Sequence, residues 1–591
     1  LEKNRQTTKQ QTFIQGALIL GVANLIVKII GAVFKIPLIN LIGDDGMGYF
    51  NIAYQIYTFM FIIATAGFPI AISKMVAESM ARDDERNAHR IFQTAFIFLA
   101  VIGFLGSAVL YFFPKQLEAL VAVPGSSKGI LAISPAVFFV AMTSVYRGYF
   151  QGRQNMFPTA ASEVIEATAK LLVGIGLAFF FMNMTVNGSL ETAIDWTTRQ
   201  VQSTYDRTVF ASAGAIFGVT TGTFLSFALL SCIFLALRKR KKSQSLSLLR
   251  SRKSILKELI LIAIPITIGA SVSSLTTLID MGTITRRLVT RPEVLAHYDF
   301  MFKEGTSFYQ KVIEEGWTGL ELYKQQAASL YGMYTGKALT MFNLPLTLVV
   351  ALGMSVVPAI SAALTRRNET ESKAITESTI RIAMLFAAPC AFGMSVLSKE
   401  VLFLLFQDCN AKSVLAILSI AIIPVAVVSV TNAILQAYGK VYCPVINMVI
   451  GGAVKVLFNF IFIPYLGIDG APAGTFLCYL IIAVLNMRYI IKYAKIRFRW
   501  NAFIFKPVAA AVIMGAVGFV LSTFLTGESF LLSASVNIWS RRILIAAEIV
   551  ICALVYFLAV FTVRAIQRED ILRLPKGEKL ASVLTKLKLL K

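Results

Sequence analysis

Fourteen apolar stretches, each long enough to cross a bilayer and separated mostly by short polar breaks, constrain this chain more than any other feature. A hydrocarbon core is spanned by about 20 apolar residues in helix. Inside lipid every backbone polar group must be satisfied internally, which leaves helices or closed barrels. The stretches cover 12–41, 47–73, 90–113, 129–151, 157–182, 208–237, 258–284, 329–362, 378–405, 413–438, 443–466, 470–491, 503–526 and 541–565. They are far longer than barrel strands, so the fold class is an all-α polytopic membrane protein of about 14 transmembrane helices. Composition agrees: only 15% of the 591 residues are charged, 57% are apolar, and the mean hydropathy is +0.71. A soluble protein carries about 25% charged residues, so a soluble multidomain enzyme is excluded. The first stretch has no small-residue cleavage signature and reads as a retained helix rather than a signal peptide. Pro37, Pro69, Pro265, Pro345, Pro358 and Pro389 are expected to kink their helices.

The net charge of +24 is a matter of topology, not of nucleic-acid binding. The N-terminus, the even-numbered connections and the C-terminal tail hold about three times the lysine and arginine of the odd-numbered connections, which puts both termini in the cytoplasm. The strongest marker is Arg238-Lys239-Arg240-Lys241-Lys242, followed by Arg250, Arg252, Lys253 and Lys257. An internal repeat is also visible. Ser144-Val145, Gln151 and Lys170-Leu171-Leu172 recur at one common offset as Ser429-Val430, Gln436 and Lys455-Val456-Leu457. Gly222-Thr223-Phe224-Leu225 returns as Gly474-Thr475-Phe476-Leu477, and Ala71-Ile72-Ser73 as Ala359-Ile360-Ser361. The expected organisation is two six-helix repeats plus two C-terminal helices. An N-terminal bundle 1–237 is followed by a basic linker 238–257 and a second bundle 258–494 with an external insertion 285–328. Helices 13 and 14 then occupy 495–566, before a basic tail 567–591. Repeated bundles of this kind are built by secondary transporters, which bind substrate near the midplane.

Ionisable groups in mid-membrane are costly and mark function unless they have a structural partner. Lys28, Lys35, Arg147, Lys170, Lys337 and Lys455 lie inside spans, against Glu163, Glu166, Asp280 and Glu548. The interior is therefore net cationic. Lys28 and Lys35, seven apart, share one helix face, and with Lys337 they are the candidate substrate-binding cations of a central cavity. Such a cavity suits a large anion with a lipid tail, such as a polyprenyl pyrophosphate. Glu166 and Lys170 are spaced as an i, i+4 intrahelical pair. Arg147 and Lys35 are near enough to helix ends to snorkel. The two histidines and six cysteines form no metal or disulfide pattern, so no metal or other cofactor is expected.

The stretch Gly43-Asp44-Asp45-Gly46-Met47-Gly48-Tyr49, followed by Ala66-Gly67-Phe68-Pro69-Ile70-Ala71-Ile72-Ser73-Lys74, resembles the stage V sporulation protein B group of polysaccharide-biosynthesis membrane proteins. That group lies beside the lipid II flippases in the superfamily of multidrug, oligosaccharidyl-lipid and polysaccharide exporters. The resemblance spans about 12–566, including the 6 + 6 + 2 helix pattern. It implies translocation of a lipid-linked cell-wall precursor across the cytoplasmic membrane by alternating access. Partners would be the lipid-linked glycan, membrane lipids and, beyond the chain, cell-wall synthesis enzymes. Lys28-Ile29-Ile30-Gly31-Ala32-Val33-Phe34-Lys35 is similar to a flippase pattern of two arginines flanking a glycine, and Lys337 ahead of Pro345 to a helix whose arginine faces the cavity. The cavity arginine of those flippases' second helix has no counterpart around Tyr54 and Tyr57. The resemblance also implies a sodium site at Asp280, Asn459 and Thr475. Lys455, one turn before Asn459, suggests an Asp280–Lys455 salt bridge in place of the ion.

Two other functions compete. A small-molecule or multidrug efflux transporter of the same superfamily would be expected to reverse the interior charge. A membrane enzyme such as a polyprenyl-phosphate transferase needs clustered carboxylates at a membrane face. Asp83-Asp84-Glu85 is the nearest such group, and it lies among Arg82, Arg86 and Arg90.

Overall fold

The computed structural model describes residues 13–238, 249–496, 501–525 and 537–565, apart from 189, 191, 192, 197 and 564. Most of the basic linker (239–248) and the tail 567–591 lie outside the described residues. The described chain is nearly all helical, and each of the fourteen apolar stretches falls on helix. By length and composition, nine helices among the described residues can cross a membrane, or ten when one bent pair counts as a single span. Two of these, Ile19–Ala81 at 63 residues and Tyr442–Ala494 at 53, are far longer than one crossing needs. The protein is thus a multi-pass membrane protein.

Packing divides the chain into two compact units, Leu1–Gly332 and Met333–Lys591. In the first unit, α1 (Phe13–Thr65) contains one non-helical residue, Gly43, at φ 75° and ψ −178°. That backbone region is open essentially to glycine alone, so the expected break at 40–47 is a glycine bend. The other helices expected to kink vary. Pro37, Pro345 and Pro389 lie inside helices, whereas Pro69 stands in the first turn of α2 (Phe68–Ala81), where a missing N–H costs nothing. Pro265 and Pro358 belong to helical stretches at positions whose side chains are not described.

Next come α3 (Glu85–Phe112), capped by Asp84 on the Asn87 N–H at 3.0 Å, and short α4 (Pro114–Val121). Then follow α5 (Ser126–Gly152), α6 (Phe157–Met182) and α7 (Thr204–Arg238). Between α6 and α7 a small three-stranded sheet forms from β1 (Thr185–Val186), β2 (Ile194–Asp195) and β3 (Gln200–Val201), in the order β1-β3-β2. Helix α5 is the buried centre of this unit and packs on α1, α2, α3 and α7. Helix α8 (Arg252–Val289) packs on α1, α2 and α3, so the packing division falls later in the chain than the sequence repeat. Three further helices complete the unit: α9 (Pro292–Leu295), α10 (Ser307–Glu315) and α11 (Gly319–Met333).

The second unit opens with a π-helical turn, Tyr334–Ala338, that leads into α12 (Leu339–Thr365). It continues through α13 (Glu369–Val396), α14 (Ser398–Phe406), α15 (Lys412–Ile420), α16 (Ile422–Ala437), α17 (Tyr442–Leu466) and α18 (Gly470–Ala494). The appended pair, α19 (Lys506–Leu525) and α20 (Ile538–Thr562), packs on α13. Ser522 donates to the buried Glu400 at 2.6 Å, and Tyr556 to the Leu385 carbonyl at 2.7 Å.

Helix α7 lies on α5 and α6 in the first unit, as α18 lies on α16 and α17 in the second. Lipid gives no hydrophobic drive between helices, so close backbone approach by small residues has to hold them. The repeated glycines do this. A Cβ on Gly222 would stand 2.6 Å from the Glu166 carbonyl oxygen, and one on Gly474 2.6 Å from Asn459 Oδ1.

Candidate functional site

In the first unit, cations and aromatic rings converge where α1 meets α6. Phe34, Phe50, Tyr54, Tyr57 and Phe61 run along α1 with successive centroids 5.8–6.0 Å apart. Helix α6 delivers Lys170 onto this strip, its Nζ 4.2 Å from the Tyr54 centroid and 5.0 Å from that of Phe34. A cation over a ring face gains about 0.5–2 kcal/mol, more as water is removed. Lys35 is half-buried beside Phe34, and Lys28 lies on the exposed face of α1 two turns earlier.

The i, i+4 pairing of Glu166 with Lys170 does not form. Glu166 accepts from Arg147 Nη2 at 2.9 Å. Arg147, only 8% exposed, also donates from Nε to Ser162 at 3.1 Å and from Nη2 to Ser226 at 3.2 Å. It therefore ties α5, α6 and α7 together rather than snorkelling. The second unit has the same node in neutral form. Asn432 and Asn447 stand at the repeat offset from Arg147 and Ser162. Asn447 donates to Asn486 at 2.8 Å, and Asn486 donates to Asn432 at 2.7 Å and to Thr431 at 2.9 Å.

Lys337 is buried in the π-helical turn and forms an ion pair with Asp408, between α14 and α15. Asp408 was not foreseen, since it lies outside every mid-span position. π-turns of this kind recur at functional sites. Of the coupling candidates, Asp280 is buried on α8 in the first unit. Lys455 and Asn459 are buried one turn apart on α17, with Thr475 buried on α18 in the second unit. The Thr475 hydroxyl donates to its own helix, at the Ala471 carbonyl, 3.0 Å away.

The sequence profile of the polysaccharide biosynthesis protein family matches residues 13–313, more than half of the chain. The chain belongs to that family. The profile of the lipid II flippase MurJ matches residues 326–538 of this family member. Stage V sporulation protein B of Bacillus subtilis (strain 168) is 24% identical over 571 residues, covering 96% of this chain and 98% of that protein. Among solved structures, the lipid II flippase MurJ in an inward closed conformation matches with a TM-score of 0.63 at 14% identity, over 92% of this chain and 98% of that one. An inward-facing multidrug resistance MATE family transporter of the MOP superfamily matches with a TM-score of 0.58 at 13% identity, over 80% and 99%. At those identities the likeness concerns the fold alone.

Proposed function

We propose that this chain is a flippase. It moves an undecaprenyl-pyrophosphate-linked cell-wall precursor, lipid II or a related lipid-linked oligosaccharide, across the cytoplasmic membrane by alternating access. In this reading the chain crosses the membrane fourteen times with both termini in the cytoplasm, and it performs no covalent chemistry. The observation that carries the reading is family membership combined with the cationic, ring-lined surface of α1 and α6. Relatives named as lipid II flippases support the substrate class. Lys28 and Lys35 of the first unit engage the diphosphate, and Lys337 of the second unit is a further substrate-binding cation in this reading. Lysines bind phosphate as point charges, without the two-pronged geometry of arginine. The ammonium of Lys455, beside Asn459, stands in for a coupling cation, so transport needs no sodium.

The test is depletion of the protein, followed by identification of the lipid-linked precursor that accumulates on the cytoplasmic side. Accumulation of an undecaprenyl-diphosphate glycan is expected. Complementation should fail with Lys28→Gln and with Lys337→Gln at normal protein levels. Unchanged precursor pools, or full growth with both variants, would remove the proposal.

A further inference from the structure

One corner of the second unit gathers cations without carboxylates. Lys440, in the connection between α16 and α17, holds its Nζ 4.7 Å from the centroid of the Tyr493 ring on α18. Lys492, the residue before that tyrosine, holds its Nζ 5.7 Å from the same centroid. Tyr489 stacks on Tyr493 at 6.1 Å and 6°, and Arg488 and Lys495 are exposed to either side in the chain. Among the described residues none of these four cations forms a salt bridge. Tyr438 brings the start of α13 to this corner through Ser372, at 3.1 Å. The carboxylates of that first turn are engaged elsewhere, Glu369 with Lys373 at 3.5 Å and Glu371 with the Asn368 amide at 3.0 Å. A ring attracts two ammonium groups without neutralising either, so the corner is left with an excess of positive charge.

Apolar surface begins at the same place. Tyr442, two residues after Lys440, opens an exposed stripe that continues through Ile446, Val449, Leu457 and Phe460 at helical spacing along α17. We infer that Lys440 and Lys492, on the Tyr493 ring, bind the head group of an anionic glycerophospholipid, with an acyl chain lying along the α17 stripe. A soluble anion would match the charge but leave the stripe unused, whereas a membrane lipid matches both. The connections that carry these lysines are even-numbered and face the cytoplasm in the proposed topology, where basic pockets beside membrane helices attract anionic lipid. The site is separate from the proposed cargo cations Lys28, Lys35 and Lys337, and it stands whether or not the flippase reading does.

The full chain, purified in detergent, can be titrated with phosphatidylglycerol and with phosphatidylcholine. Bound lipid is counted by native mass spectrometry, with thermal unfolding checked on each variant. The wild type is expected to prefer phosphatidylglycerol. Lys440→Gln with Lys492→Gln should weaken its binding about tenfold, whereas Arg366→Gln with Arg367→Gln, an equal loss of charge elsewhere in the unit, should weaken it less than about threefold. Tyr493→Leu keeps both charges but removes their platform. It should also weaken binding, and it decides the matter if the double lysine variant does not fold. Equal binding of the two lipids by the wild type overturns the inference, as do equal losses in the two double variants or undiminished binding by Tyr493→Leu. Displacement of the lipid by inorganic phosphate at matched concentration overturns it too, since the corner would then read a free anion.

Discussion

Asp408 sits in the turn between α14 and α15 and holds the ammonium of Lys337, the two side chains being 31% and 5% exposed. Removing one partner of a buried pair leaves the other charge uncompensated, at about 3–5 kcal/mol for full burial. Asp408 is partly open to solvent, so Asp408→Asn is expected to cost about 2–4 kcal/mol, seen as a lower unfolding temperature in detergent. The double variant Lys337→Met/Asp408→Asn should recover most of that loss. A single variant as stable as the wild type would show that the pair contributes nothing. The residue-scale lessons are similar at Lys337 and at Glu166. A charge buried in an apolar run is conspicuous in sequence, so Lys28, Lys35, Lys170 and Lys337 were all legible. Their partners were not, because helical spacing sees only neighbours on the same helix. It pairs Glu166 with Lys170, while the fold gives Glu166 to Arg147 on α5.

At the scale of elements, the insertion after α8 is built into the first unit. Lys311 on α10, 3% exposed, forms an ion pair with Asp45 just past the Gly43 bend. Glu314 accepts from the Thr204 N–H at 2.7 Å and its hydroxyl at 2.8 Å, at the start of α7. Tyr49 donates to Gln325 on α11 at 2.7 Å. A carboxylate at a helix N-terminus meets both open N–H groups and the favourable end of the helix dipole. Lys311→Met strands the Asp45 carboxylate, so trypsin should cut at Lys303 and Lys324 faster than in the wild type. Adding Asp45→Asn should slow it again. Equal digestion rates would mean that the ion pair does not hold the segment down. From sequence, this insertion showed only a balanced set of charges, which reads as an exposed decoration. The packing of its few apolar residues is non-local and leaves no periodic trace. The sheet between α6 and α7 was missed for the same reason, since its strands are two residues each.

For the whole molecule, the charge distribution in the connections makes the sharpest prediction. A cysteine placed at Ser243 in the basic linker should react with a membrane-impermeant thiol reagent only after the cytoplasmic face is opened. Labelling of intact cells there would reverse the proposed topology. The helical architecture was readable almost throughout, because about 20 consecutive apolar residues are a far stronger signal than any local propensity. The node at Arg147 was hidden, and so was its neutral counterpart in the second unit, because Arg147 and Asn486 look unrelated until each is seen joining three helices. The packing division at Gly332–Met333 was equally hidden, since it depends on where α8 docks rather than on which copy it came from.

The bend at Gly43 also bears on how such a chain enters a membrane during synthesis. The first apolar stretch carries Lys28 and Lys35, and a lysine at mid-membrane costs about 2.5–3.5 kcal/mol in translocon insertion. No long loop separates that stretch from the next, only a glycine followed by two aspartates. The nascent chain therefore has little opportunity to commit its first helix alone. The two arms of α1 are suited to enter the bilayer together, with the charge-free second arm carrying the lysine-bearing first one, and the backbone open to Gly43 suits it to the turn between them.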